Sequence, residues 1–119
     1  TLPESRRKLV TTHDTFGYFA DRYSFEVVGA VLPAATEGAS PSAQEVAALV
    51  ESVKAAGVPA VFAENVSSNT LLRQVADEAG VSVVASLYTD ALGPLGSDGD
   101  TYLKMMRYNV TTIVTELGK

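Results

Sequence analysis

The sequence predicts an α/β fold, a three-layer sandwich in which helices cover both faces of a four-stranded parallel sheet. Four short apolar segments rich in β-branched residues alternate along the chain with four segments of helical periodicity. Because a helix separates each strand from the next, the connections are expected to be right-handed crossovers. A chain of 119 residues can bury one hydrophobic core, so we expect a single domain over residues 1–119.

The four predicted strands are apolar segments without strict alternation, typical of strands buried on both faces: residues 8–12, 25–32, 60–63 and 81–85. We expect them in the order 2-1-3-4. The predicted helices span about residues 16–23, 42–56, 69–79 and 101–117. Small-residue loops are predicted at 33–40 and 86–99, and loops as long as the second are often functional.

Cap residues mark the predicted helix starts. Asp14 is expected to cap the first helix and Asp100 the last. The second helix begins at Ser40 followed by Pro41, or at Ser42 with Glu45 three residues later. The third is expected to be capped within residues 67–69. The last helix is predicted to bury one face formed by Leu103, Met106, Val110, Ile113 and Leu117.

Composition excludes several function classes. The chain carries 14 acidic and 9 basic residues, for a net charge of -5, and its basic residues are scattered, so we expect no nucleic-acid partner. No apolar run approaches the roughly 20 residues needed to cross a bilayer. Cysteine is absent, which excludes disulfides and thiolate metal sites. Since the chain starts with neither Met nor a signal segment, we interpret it as a domain excised from a longer protein.

Three polar side chains follow predicted strands at the same sheet edge: His13, Glu64 and Asp90. Ligands of open α/β sheets bind at this edge. Imidazole and carboxylate groups suit zinc, manganese or ferrous iron, but a closed zinc site needs four donors. A catalytic role is disfavoured because the chain has neither a G-x-S-x-G motif nor a phosphate-binding loop. Simpler readings stay open, with His13 and Asp90 as turn residues and Glu64 as a surface or capping group.

Four stretches, in order, resemble the carboxyl-terminal lobe of the zinc and manganese receptors of bacterial ABC importers. They are TTHDTFGYF (11–19), FAEN (62–65), LYTDALG (87–93) and YLKMMRYN (102–109). Asn109 matches a family position, although the sequence suggests no chemical role for it. Together the stretches make the resemblance cover essentially the whole chain.

The resemblance implies a receptor of two α/β lobes joined by a long helix, with the metal bound in the cleft between them. By this resemblance His13 and Asp90 are metal ligands, and Glu64 lies behind them, where it orients His13 or holds a neighbouring turn. The other two ligands come from the amino-terminal lobe. The ion is zinc or manganese, and the partner is an ABC permease in the membrane.

The resemblance also implies a protein outside the cytoplasm, in the periplasm or anchored at the cell surface as a lipoprotein, and no enzymatic activity. Two alternatives remain. One is a surface adhesin or interaction domain of the same fold, acting in cell adhesion. The other, which ranks last, is a small α/β hydrolase that uses His13 and Asp90.

Overall fold

The computed structural model describes residues 2–32, 41–65 and 69–119. A short 3₁₀ helix, Glu4–Arg6, precedes four strands and four helices. The strands are β1 (Lys8–His13), β2 (Glu26–Leu32), β3 (Ala60–Glu64) and β4 (Ser82–Leu87). The helices are α1 (Gly17–Tyr23), α2 (Ala43–Ala56), α3 (Thr70–Ala79) and α4 (Tyr102–Leu117). The predicted loop over 33–40 and the possible caps at 67 and 68 lie outside the described residues.

The four strands form one parallel sheet in the order β2-β1-β3-β4, which confirms the predicted topology. In register, Thr11 of β1 lies beside Phe62 of β3, and Phe62 lies beside Val84 of β4. Since all strands run in one direction, their carboxyl ends meet at one edge of the sheet. His13 and Glu64 are the last residues of β1 and β3.

Neighbouring strand residues contribute to two separate cores, as the alternation of side chains along a strand requires. Val10 and Val61 pack with α2 and α3 on one face, whereas Leu9 and Phe62 pack with α4 and Phe16 on the other. All five residues of β3 are buried. This double burial explains the continuous apolar runs in the sequence and confirms the three-layer arrangement.

Helix α2 begins as one of the two predicted alternatives describes. Ser42 is the N-cap: its hydroxyl accepts a hydrogen bond from the Glu45 backbone N–H at 3.2 Å. The Glu45 carboxylate accepts one from the Ser42 N–H at 2.7 Å, and hydrogen bonding from the Ser42 backbone, then from its side chain, holds the pKa of Glu45 below its ordinary value. This reciprocal pair satisfies two backbone donors that the first turn leaves free.

Two predicted caps are wrong. The N-cap of α1 is Phe16, without a side-chain cap bond, rather than Asp14. The N-cap of α4 is Thr101, whose hydroxyl accepts from the Lys104 N–H at 3.3 Å. Asp100 instead accepts from the Gly96 N–H at 2.8 Å and pairs with the Lys104 ammonium at 2.8 Å. Local spacing alone does not reveal these competing loop contacts.

The predicted buried face of α4 is partly wrong. Ile113 and Leu117 are buried as expected, but Leu103 is 68% exposed and Val110 is also exposed. The helix instead buries Met105, Asn109, Ile113 and Leu117. The buried face is thus rotated about the helix axis relative to the predicted one. It includes the Asn109 amide, which hydrogen-bonds to the backbone of the loop that follows β4.

No helix among residues 2–32, 41–65 and 69–119 combines the length and apolarity that crossing a membrane requires.

The loop after β4 folds around the ring of Tyr88, and we expect Gly99→Ala to destabilise it. A Cβ at Gly99 would lie 2.5 Å from two carbons of that ring, and the residues around the ring leave it little room to move. Overpacking of this kind costs about 1–3 kcal/mol of unfolding free energy. Urea denaturation measures the loss. Gly17→Ala is the matched control because a Cβ there meets nothing within 4 Å; equal loss in both variants would contradict the packing argument.

Candidate metal centre

His13 lies between two carboxylates at the carboxyl edge of the sheet. Its Nδ1 is 2.7 Å from Oε1 of Glu64, and its Nε2 is 2.9 Å from Oδ2 of Asp90. The side chain is 19% exposed. The structure thus brings together the three side chains that the sequence singled out, with one carboxylate facing each ring nitrogen.

Glu64 is a buried carboxylate, with 1% of the residue exposed. Its second oxygen, Oε2, accepts a hydrogen bond from the backbone N–H of His13 at 2.7 Å. Burial raises the pKa of Glu64, while the His13 N–H, the His13 ring and the Thr89 hydroxyl oppose that shift in part. One carboxylate therefore contacts both the backbone and the ring of His13, which fixes the position and orientation of the imidazole.

Asp90 lies in the turn after β4, with 62% of its side chain exposed. Its Oδ2 faces His13, and its Oδ1 accepts a bond from the Thr15 hydroxyl at 3.3 Å. Unlike Glu64, this carboxylate is in contact with solvent. Its side chain is therefore freer to rotate than the imidazole beside it.

The two ring nitrogens of His13 differ in their surroundings. Nδ1 faces the buried carboxyl group of Glu64, whereas the Nε2–Oδ2 contact with Asp90 is on the exposed side. Nε2 is therefore the ring nitrogen that a group arriving from solvent can reach.

Two asparagine side chains hold the strand ends that carry this site. Asn69 accepts from the Glu64 N–H at 3.1 Å and donates to the Glu64 carbonyl at 3.0 Å, while its oxygen also accepts from the Thr12 hydroxyl at 2.6 Å. Asn109 does the same for Tyr88, with bonds of 3.0 Å and 2.6 Å. An amide can do this because it is both donor and acceptor.

The sequence did not reveal these roles. The sequence predicts Asn69 only as a possible helix cap; it is the N-cap residue of α3, but its side chain makes no cap bond. The sequence suggests no role for Asn109. The signal in the sequence is the single amide of Asn109 among the apolar residues on the inward face of α4. It can be recognised only when the inward face is assigned correctly.

The arrangement is not a complete metal site by itself. Across ranges 2–32, 41–65 and 69–119, no group of three or more His, Cys, Asp or Glu side chains is arranged to hold a metal ion. Glu64 and Asp90 lie on different nitrogens of the same ring, so their oxygens do not converge on one point. Ligation by His13 and Asp90 stays a prediction.

The raised pKa of Glu64 predicts a pH-dependent contribution to stability. The fold favours the protonated carboxyl, so its contribution is fully present below 4.5, the ordinary pKa, and is lost as pH rises through the raised value. We expect wild type to lose stability relative to Glu64→Gln over that rise. Urea unfolding of both metal-free proteins at several pH values measures the difference; a difference independent of pH would refute the assignment.

Comparisons with known proteins agree with the fold. The family model described as "Zinc-uptake complex component A periplasmic" (ZnuA) matches residues 1–116. The manganese-binding lipoprotein MntA of Halalkalibacterium halodurans is 34% identical over 119 residues, 100% of this chain and 39% of the relative. The zinc-binding protein TroA of Treponema pallidum is 37% identical over 125 residues, 100% of this chain and 40% of the relative.

Solved structures give the same result. The periplasmic zinc-binding protein TroA from Treponema pallidum superposes with a TM-score of 0.89 at 33% identity, covering 98% of this chain and 43% of that chain. The chain thus spans about two fifths of the length of the curated relatives it matches. With a family model matched over residues 1–116, the chain belongs to the ZnuA family of zinc-uptake complex components.

Proposed function

We propose that this chain supplies half of a binding site for a divalent transition metal, zinc or manganese, in a receptor that delivers the ion to an ABC permease. The observation that carries the proposal is the placement of the His13 ring. Its Nδ1 contacts buried Glu64, which orients the ring, and its Nε2 faces exposed Asp90. Family membership supports it, as do relatives named for manganese and zinc binding. The receptor works outside the cytoplasm and makes or breaks no covalent bond.

In this proposal residues 1–119 are one α/β domain, the carboxyl-terminal lobe of a two-lobe receptor. The chain spans about two fifths of the length of its relatives, which leaves room in the parent protein for a second lobe. A four-coordinate site needs two donors beyond His13 and Asp90. The amino-terminal lobe supplies them, so the ion lies between the lobes.

The spacing of the two proposed ligands supports this geometry. Ligands about 2.0–2.2 Å from a tetrahedral zinc lie roughly 3.4 Å apart. Nε2 of His13 and Oδ2 of Asp90 are now 2.9 Å apart, so zinc requires them to separate by about half an ångström. The exposed Asp90 side chain makes that movement, because the contacts of Glu64 fix the imidazole.

The donor types leave both metals open. A histidine nitrogen and one carboxylate oxygen suit zinc. Asp90 has a second oxygen, Oδ1, that manganese, which prefers more oxygen donors, would use. That oxygen accepts a bond from the Thr15 hydroxyl at 3.3 Å.

Removing either proposed ligand is expected to weaken metal binding. His13→Ala and Asp90→Ala should each raise the Kd for zinc by more than about 10-fold, since even residues beyond the ligands change metal affinity about 10- to 100-fold. An NMR titration of the 119-residue chain with zinc chloride measures the Kd.

Asp98→Ala is the matched control for Asp90→Ala. Asp98 is an exposed acid in the same loop, so its loss removes the same charge without removing a proposed ligand. We expect its Kd for zinc to stay within about two-fold of wild type, because exposed charges interact weakly through water. If the two variants raise the Kd for zinc equally, the chain attracts the ion only by its general negative charge. If Asp90→Ala leaves the Kd unchanged, the proposed site is refuted.

A further inference from the structure

We infer that Asn65 is a positioning residue, whose side-chain amide fixes the backbone on both sides of Asp90 and so holds the proposed carboxylate ligand in place. The inference rests on the proposed function, because it names what positions one ligand of that site. Nothing in the sequence assigned a role to Asn65 beyond its place in the stretch FAEN.

The hydrogen bonds of Asn65 bracket Asp90. Oδ1 of Asn65 accepts from the backbone N–H of Thr89 at 3.0 Å, and Nδ2 donates to the carbonyl of Ala91 at 3.1 Å. These are the residues immediately before and after Asp90. Fixing both neighbours restricts the backbone of the residue between them, and with it the direction in which the carboxylate leaves the chain.

Asn65 is itself well placed to act as a fixed point. It follows the last residue of β3, and its own backbone N–H donates to the Leu87 carbonyl of β4 at 3.0 Å. This bond continues the pairing of Glu64 with Leu87 by one step beyond the strand. The amide is therefore carried by the sheet rather than by the loop that it contacts.

Two consecutive residues carry both positioning groups of the site. Glu64, the last residue of β3, contacts the His13 ring, and Asn65, the residue after it, contacts the turn of Asp90. These two residues thus set the positions of the two proposed ligands relative to each other.

An amide suits this role, since one side chain must accept from Thr89 and donate to Ala91 through two separate atoms. Asn65 is exposed, so truncating it opens no core cavity. We expect Asn65→Ala to remain folded while raising the Kd for zinc about 10-fold, the lower end of the range for residues that orient metal ligands. NMR titration of the 119-residue chain with zinc chloride gives the Kd, and urea denaturation checks the fold.

Gln74→Ala is the matched control. Gln74 is also an exposed amide, but it bonds to Glu78 within α3, away from the sheet edge. Its Kd for zinc should equal that of wild type. If Asn65→Ala does not fold, Asn65→Ser carries the same prediction, because a hydroxyl on a shorter side chain cannot span Thr89 and Ala91 together.

A double-mutant cycle separates positioning from a general structural effect. If Asn65 acts through Asp90, then Asn65→Ala weakens zinc binding in the wild-type background and has no further effect in Asp90→Ala. An equal loss in both backgrounds, or no loss in either, would overturn the inference. If Asp90→Ala alone leaves the Kd unchanged, the proposed metal site fails first and the role of Asn65 fails with it.

Discussion

A carboxylate buried at the end of β3 is the constraint on which the site depends. Burying Glu64 is costly unless its oxygens are satisfied by donors. The backbone N–H of His13 donates to Oε2, and Nδ1 of the His13 ring lies 2.7 Å from Oε1. The same contacts that make burial of Glu64 tolerable fix the imidazole, so Nε2 is directed outward. Orientation of the proposed ligand is thus a consequence of burying a carboxyl group beside it.

Around this pair, amide side chains continue the sheet where its strands end. Asn69 bonds to both backbone groups of Glu64, Asn109 to both of Tyr88, and Asn65 to the residues that flank Asp90. Beyond the last strand residue there is no neighbouring strand to satisfy these groups. The amides supply these hydrogen bonds instead.

The sequence was sufficient for the sheet and for the convergence of His13, Glu64 and Asp90, because both follow from strand direction and alternation with helices. It was insufficient where a polar side chain chooses between local and distant partners. Asp100 is expected to cap α4, but it bonds to Gly96 and Lys104 instead. Asn109 bonds to Tyr88, and the buried face of α4 therefore differs from the face that the apolar spacing predicts. Such choices depend on backbone groups far away in the chain, which periodicity does not report.

The two sides of the His13 ring differ in what can replace their contacts. Glu64 is enclosed by protein, so its contact with Nδ1 is closed to solvent. Asp90 is exposed, so its contact with Nε2 can be replaced by another group. In the proposed receptor, exchange is therefore confined to the exposed side of the ring, where donors from a second lobe would reach the ion. A ring fixed on its buried side and open on its exposed side would then bind and release metal without rearrangement of the core, because only Asp90 would have to move.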